Sequence, residues 1–409
     1  SNVSTCSTFF DVNPSTVALS FLPLAHVFER MIDYVLFSRA ATVSYAESIE
    51  KLSENFGEVR PHTFASVPRV YDKIHARIFQ NLENQSPTKQ KIFRWAVKVG
   101  KERLALVEKR RPVPGGLALK YRIADKLVFS KIKARLGGRF QFCMSGGAPL
   151  SKEVAEFFWG AGVEVYEGYG LTETSPVLTC NTPKGWKLGS VGKAIAGVQI
   201  RIAPDGEVLA KGPNIMRGYW NKPEETKKVF DAEGWFLTGD VGFIDREGFL
   251  TLTDRKKELI INAYGKNVAP APIEEALKQI RYVANVVLIG DKRKFLSALI
   301  VPNFERLEGW ASANNVEFRN PTDLIRNKKV RALFDQAIKL VNGDEPSEKR
   351  IKDFALLATD FTIEGGELTP TLKVKRRVVA EKYRDVIDGL YEKAEMMDAA
   401  VDKGSDKMM

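Results

Sequence analysis

Cysteine and histidine are scarce in this chain: 409 residues include three of each, Cys6, Cys143 and Cys180, and His26, His62 and His75. Three cysteines without a Cys-x-x-Cys spacing exclude a disulfide framework and point to a reducing, cytoplasmic compartment. Three histidines with no metal spacing between them exclude a histidine-built zinc centre. No apolar run approaches the roughly 18 to 20 residues that span a bilayer, and the apolar stretch near Leu22 has no basic segment ahead of it. Neither a membrane span nor a secretory leader is therefore expected. An acidic surplus is missing as well, since 62 Lys and Arg face 51 Asp and Glu, a formal charge of +11. From Lys256 onward there are 27 basic and 24 acidic residues, so about +3 sits there and +8 in the first 255. That surplus reads as diffuse, which suits an anionic substrate and gives no reason to expect nucleic acid as a partner.

Several catalytic signatures are absent too. Gly168-Tyr169-Gly170-Leu171-Thr172-Glu173 opens like a dinucleotide fingerprint but has Glu where the last glycine belongs. The pairs Gly100-Lys101, Gly192-Lys193 and Gly265-Lys266 lack the remaining elements of a Walker A loop. Ser145, in Cys143-Met144-Ser145-Gly146-Gly147, is not in a nucleophile elbow.

What is present alternates strands and helices. Val17 to Leu22 reads as a buried strand and Val27 to Phe37 as a helix, with a junction at Leu24-Ala25-His26. Helical spacing recurs from Arg69 to Leu82, with Pro68 in the first turn, and from Lys89 to Arg111, where Pro112 to Gly116 stops it. Phe140 to Met144 and Val163 to Tyr166 read as strands, with Ser151 as a helix N-cap between them. From Val191 to Leu252 short β-rich segments suggest a separate antiparallel layer. After the charged run Asp254 to Glu258 come a helix at 273–280, strands at 286–289 and 296–301, helices at 304–313 and 323–341, and a strand near 354–357. The length and this pattern predict two domains, a large α/β domain over 1–255 and a smaller α+β domain over 256–409 joined by a hinge.

Chemistry concentrates in four loops. Tyr169-Gly170-Leu171-Thr172-Glu173 offers close backbone approach, a hydroxyl for a phosphate and a hard oxygen for Mg²⁺. Ser145-Gly146-Gly147-Ala148-Pro149 presents small residues that admit a flat ring. Trp235 to Asp240 places a carboxylate after an apolar strand and a glycine, suited to a ribose diol, and Arg255 follows fifteen residues later. The order and spacing of these loops resemble the adenylate-forming superfamily of acyl-CoA synthetases. The long-chain fatty-acid CoA ligases are most similar, through Leu22-Pro23-Leu24-Ala25-His26-Val27-Phe28-Glu29-Arg30, Val67-Pro68-Arg69-Val70-Tyr71-Asp72-Lys73-Ile74, Tyr166 to Pro176, and Glu367-Leu368-Thr369-Pro370-Thr371-Leu372-Lys373.

The resemblance implies ATP, Mg²⁺, coenzyme A and a fatty acid as reactants. It implies that Gly147, Ala148 and Pro149 line the adenine with Tyr169 and Gly170 opposite, and that Thr172 holds the α-phosphate and Glu173 the Mg²⁺. Asp240 would accept from the ribose, Arg255 bind near ribose and phosphate, and His26 position the carboxylate. In the second domain, Lys373 would serve adenylation, Lys257 the hinge, and the Asn262 to Lys266 loop with Gly265 the pantetheine channel. An apolar acyl substrate also allows a peripheral membrane contact. The family's Ser/Thr/Gly-rich phosphate loop ending in Pro-Lys-Gly has no counterpart ahead of His26, so the first domain is expected to be partial. The alternatives are an acyl-adenylating enzyme with another carboxylate or a carrier-protein acceptor, and a non-catalytic fragment that binds nucleotide or acyl groups.

Overall fold

The structure, a computed structural model, describes residues 1–346, 349–368 and 374–392. Two compact units divide the chain, Ser1–Leu252 and Thr253–Met409.

In the first unit the order is α1 (Asn2–Cys6), β1 (Val17–Ser20), α2 (Val27–Ser38), β2 (Thr42–Tyr45), α3 (Leu52–Val59), β3 (Thr63–Ser66), α4 (Pro68–Glu83), α5 (Pro87–Glu108), α6 (Gly115–Ala124), α7 (Ser130–Arg135), β4 (Phe142–Ser145), α8 (Lys152–Gly160), β5 (Val165–Gly170), β6 (Val177–Cys180) and β7 (Lys193–Ala194). These strands form one sheet in the order β2-β1-β3-β4-β5-β6-β7. The pairs from β2 through β5 are parallel, and β6 and β7 are added antiparallel. Parallel neighbours need crossovers, which the intervening helices supply, so the central strands are covered and read as apolar runs. Phe64 on β3 is 3% exposed and lies among the rings of Phe21, Phe56 and Tyr71. Burying one such ring stabilises by roughly 1.5–3 kcal/mol.

A second sheet follows, made of β8 (Gln199–Ile202), β9 (Glu207–Lys211), β10 (Phe236–Ile244) and β11 (Leu250–Arg255) in the order β11-β10-β9-β8, with α9 (Pro223–Lys227) between β9 and β10. The expected antiparallel layer is thus present but starts at Gln199, because Lys193–Ala194 pairs with β6 in the large sheet.

The second unit contains a hairpin, β12 (Ile260–Ile261) with β13 (Asn267–Val268), then α10 (Pro270–Lys278), β14 (Val283–Ile289), β15 (Leu296–Pro302), α11 (Phe304–Ala313), α12 (Pro321–Arg326), α13 (Lys328–Asn342), β16 (Ile351–Leu356) and α14 (Arg376–Lys382). β14-β15-β16 make its sheet, antiparallel and then parallel.

Three expectations are corrected. The β1 strand stops at Ser20, two residues early. Gly115 and Gly116 open α6 instead of merely ending α5; Pro114 precedes it with its φ near −59°, suited to a helix start. The single helix expected over 323–341 is two, because the Asn327 side chain accepts from the Lys329 amide and caps a new start.

Candidate functional site

The parallel strands of the large sheet end on one edge, and the loops leaving their carboxyl ends carry the residues singled out from sequence. Ser20 ends β1 and leads to His26, the N-cap of α2. The His26 Nδ1 accepts from the Phe28 amide at 3.2 Å, which fixes the ring. Two residues on, the Phe28 ring packs on Gly146. A Cβ added at Gly146 would lie 3.0 Å from that ring, so the loop after β4 sits close against the start of α2 only because residue 146 has no side chain.

Gly147, Ala148 and Pro149 are exposed in that loop. Its far end is held by Glu167 on β5, whose Oε1 accepts from the Leu150 amide at 3.3 Å. Glu167 is buried, and desolvation pushes its carboxyl up to about 7. Sequence reasoning quoted Glu167 inside a motif without giving it a part; its burial is what identifies it.

Tyr169 and Gly170, read as loop from sequence, are the last residues of β5 and pair with β6. The reason is a close backbone crossing: a Cβ on Gly170 would lie 1.8 Å from the Pro176 carbonyl oxygen, so the strand can turn back on itself only at glycine. Asp240 is likewise within a strand, β10, where the pairing with β9 shifts register between Leu237 and Val241. It is 6% exposed, and the Tyr169 hydroxyl donates to its Oδ2 at 2.6 Å. Two candidates 71 positions apart in sequence are thereby in direct contact.

Thr172 is exposed and Glu173 half-buried in the short helical turn that follows β5. The Tyr219 hydroxyl donates to Glu173 Oε1 at 3.0 Å, and the Met216 amide donates to the Glu173 carbonyl. Asn214 donates to the carbonyls of Thr174 and Val177. The 214–219 segment therefore pins this loop, a function that sequence reading missed; the Gly218-Tyr219 pair was the available signal. No cluster of three potential metal ligands occurs among the described residues. One carboxylate oriented by a tyrosine still fits Mg²⁺, which takes one or two protein carboxylates and draws its remaining ligands from water and phosphates.

Near the same edge, α2 buries Glu29 and Asp33 one turn apart. The Ser20 hydroxyl donates to Glu29 Oε1 at 2.5 Å and the Tyr45 hydroxyl to Asp33 Oδ2 at 2.8 Å. Glu29 Oε2 and Asp33 Oδ1 are buried without a partner among the described residues. Desolvation pushes Glu29 up to about 7 and raises Asp33, so Glu29 gains and loses its proton close to neutrality. With Ser20 and Thr63, both line a cavity whose remaining walls are mostly apolar, including Phe9, Leu19, Met31, Val35 and Phe64.

The other candidates lie in the second unit or outside the description. Arg255 ends β11, and Lys256 and Lys257 form a short helical turn after it. Gly265 lies in the β12–β13 hairpin, where the Asn262 side chain accepts from the Tyr264 and Lys266 amides. Lys373 lies outside the described residues. The three cysteines are buried and unpaired. No helix of the described residues is long and apolar enough to cross a membrane.

The profile of the AMP-binding enzyme family matches residues 1–220, and that of the AMP-binding enzyme C-terminal domain matches 257–395. The long-chain-fatty-acid–CoA ligase FadD15 of Mycobacterium tuberculosis is 40% identical over 378 residues, which are 92% of this chain and 62% of the relative. The long-chain-fatty-acid–CoA ligase ACSBG2 of Xenopus laevis is 36% identical over 407 residues, 92% of this chain and 54% of the relative. This chain therefore spans less than two thirds of the length of these curated relatives. Among solved structures, the adenylation domain of a carboxylate reductase from Mycobacterium chelonae superposes with a TM-score of 0.65 at 24% identity, over 96% of this chain and 56% of that one. That likeness is one of fold.

Proposed function

Because the chain belongs to the AMP-binding enzyme family, we propose that the protein it represents is an AMP-forming long-chain fatty-acid CoA ligase. In the first half-reaction a carboxylate oxygen attacks the α-phosphorus of ATP, the bond to the β-phosphate oxygen breaks, and pyrophosphate leaves. The CoA sulfur then attacks the acyl carbon, AMP leaves, and the thiol proton passes to solvent. No covalent enzyme intermediate is needed, so positioning and charge stabilisation carry the rate.

The observation that carries this reading is the 2.6 Å contact between Tyr169 and Asp240, which joins a ring suited to one face of adenine to a carboxylate suited to a ribose diol. In this reading Gly147, Ala148 and Pro149 line the other face of the base, while Gly170 lets the backbone approach. Thr172 donates to the α-phosphate, and Glu173, oriented by Tyr219, supplies the one protein carboxylate for Mg²⁺. That ion, when bound, offsets phosphate charge. Nε2 of His26 positions the fatty carboxylate, and the cavity beside α2 takes the first part of the hydrocarbon. The neutral form of Glu29 suits an apolar occupant there.

The 1–255 part is the adenylate-binding portion of this proposal and 256–409 the mobile one. Lys373 and Arg255 serve adenylation, Lys257 is the hinge, and the Gly265 loop faces pantetheine in the thioester step. An acyl substrate that partitions into bilayers adds a peripheral membrane contact.

The deciding experiment measures pyrophosphate release by the whole protein with fatty acids of several chain lengths, with and without CoA. Long-chain-dependent release with acyl-CoA formation is expected. Release with fatty acid but thioester formation only on a carrier protein would replace CoA as acceptor, and no release with any fatty acid would overturn the reading.

A further inference from the structure

α6 and α7 are joined by one π-turn, Asp125–Phe129, so that 115–135 forms a continuous helix on the first unit. Its inner face buries Ala124, Val128, Phe129 and Ile132 in the main core. The outer face breaks the usual pattern of a surface helix. Leu119, Ile123 and Leu127, spaced four apart, are 59%, 45% and 43% exposed. In a plain α-helix that spacing drifts around the axis; the wider π-turn winds the third position back toward the first two.

This helix, with the connection that leads into it from α5, is strongly basic. Residues 109–135 contain nine Lys and Arg against one acidic residue, Asp125, and Asp125 is taken by Lys133 at 2.6 Å. A net +8 over these residues equals the whole surplus of the first 255, so the charge that read as diffuse along the chain is concentrated here. Lys120, Arg122 and Lys126 are exposed beside the apolar row, and none is in an ion pair among the described residues. Arg103 of α5 stacks on Tyr121 at 4.4 Å, extending the basic rim.

We propose that this helix face is the surface by which the protein docks on an anionic lipid bilayer. A solvated basic helix alone would carry polar residues where Leu119, Ile123 and Leu127 stand, and a protein groove would not require a surplus of five positive charges on the helix. Aliphatic side chains between long cationic stems are the chemistry of an interfacial helix: the row enters the acyl boundary while the Lys and Arg heads reach lipid phosphates. The proposal gives the peripheral contact named above a place, and rests on this surface whatever reaction the site catalyses.

Flotation of the 409-residue chain with phosphatidylcholine vesicles, with and without phosphatidylglycerol, tests it. Binding is expected on the anionic vesicles alone. Replacing the three cations together, Lys120→Gln, Arg122→Gln and Lys126→Gln, is expected to weaken it on the order of 10²-fold. The variant Leu119→Ser, Ile123→Ser, Leu127→Ser is expected to abolish flotation while unfolding like the parent. All six side chains are exposed, so folding is a separable control. The proposal is overturned if the chain stays at the bottom of the gradient, if both variants float like the parent, or if the face instead binds duplex nucleic acid or a second copy. Pyrophosphate release is not read, so failure of the ligase reading and failure of this one are distinguishable.

Discussion

Tyr169 and Asp240 hold one another by a hydrogen bond to a charged acceptor, a class worth about 1.5–3 kcal/mol. In the whole protein Asp240→Ala is expected to abolish measurable ATP binding by calorimetry. Tyr169→Phe, which keeps the ring and removes the bond, is expected to weaken it about tenfold; unchanged affinity in both would remove the ribose assignment. The buried carboxyls make a different prediction. Glu29 and Glu167 move from a usual value of 4.5 up to about 7 because burial disfavours their charged forms. Below pH 4.5 both are protonated folded or unfolded and cost nothing. As pH rises toward 7 the unfolded chain ionises while the fold keeps the neutral acids, so stability falls across that window and levels off above it, by about 3 kcal/mol for each group. Urea titrations across the window should show this slope, and Glu29→Gln should reduce it. A slope of the opposite sign would show that these acids are ionised in the fold.

At the scale of elements, the loop after β5 depends on one missing side chain. Gly170→Ala places a carbon against the Pro176 carbonyl and is expected to cost at least about 2 kcal/mol, whereas Gly116→Ala in α6, with nothing within 4 Å, should be neutral or stabilising by about 0.5–1 kcal/mol. Equal denaturation midpoints for the two variants would contradict the crossing. This scale is also where sequence reading succeeds and fails for identifiable reasons. α2 and α4 were legible because apolar spacing, Pro68 and the His26 junction agree. β2 and α3, between residues 42 and 59, received no reading, since four edge residues and an eight-residue helix carry too little periodicity. The loops of the site were legible as motifs, but their pinning by Asn214 and Tyr219 is a tertiary fact that no local pattern encodes.

For the whole molecule, each unit has its own core. One runs through β3, β4 and α8, and another through β14, β15 and α13. In the second, Arg376 meets Glu274 through two bonds, at 2.6 and 2.5 Å, and the Leu288 amide donates to the same carboxylate. Removing one partner of a buried pair costs about 3–5 kcal/mol. Calorimetry of Glu274→Gln is therefore expected to lower one melting transition and leave another in place; a uniform shift of a single transition would show that the chain unfolds as one cooperative body. The pairing of Arg376 with Glu274 was not legible in the sequence, the two being 102 positions apart. One further property follows from the order of the large sheet. β2 is its terminal strand and, among the described residues, pairs with β1 alone, so Thr42–Tyr45 forms an open sheet edge beside the exposed ring of Tyr45. Such a margin is a template for growth by strand addition. Strand addition at this four-residue rim is one route by which copies of the chain associate as concentration rises.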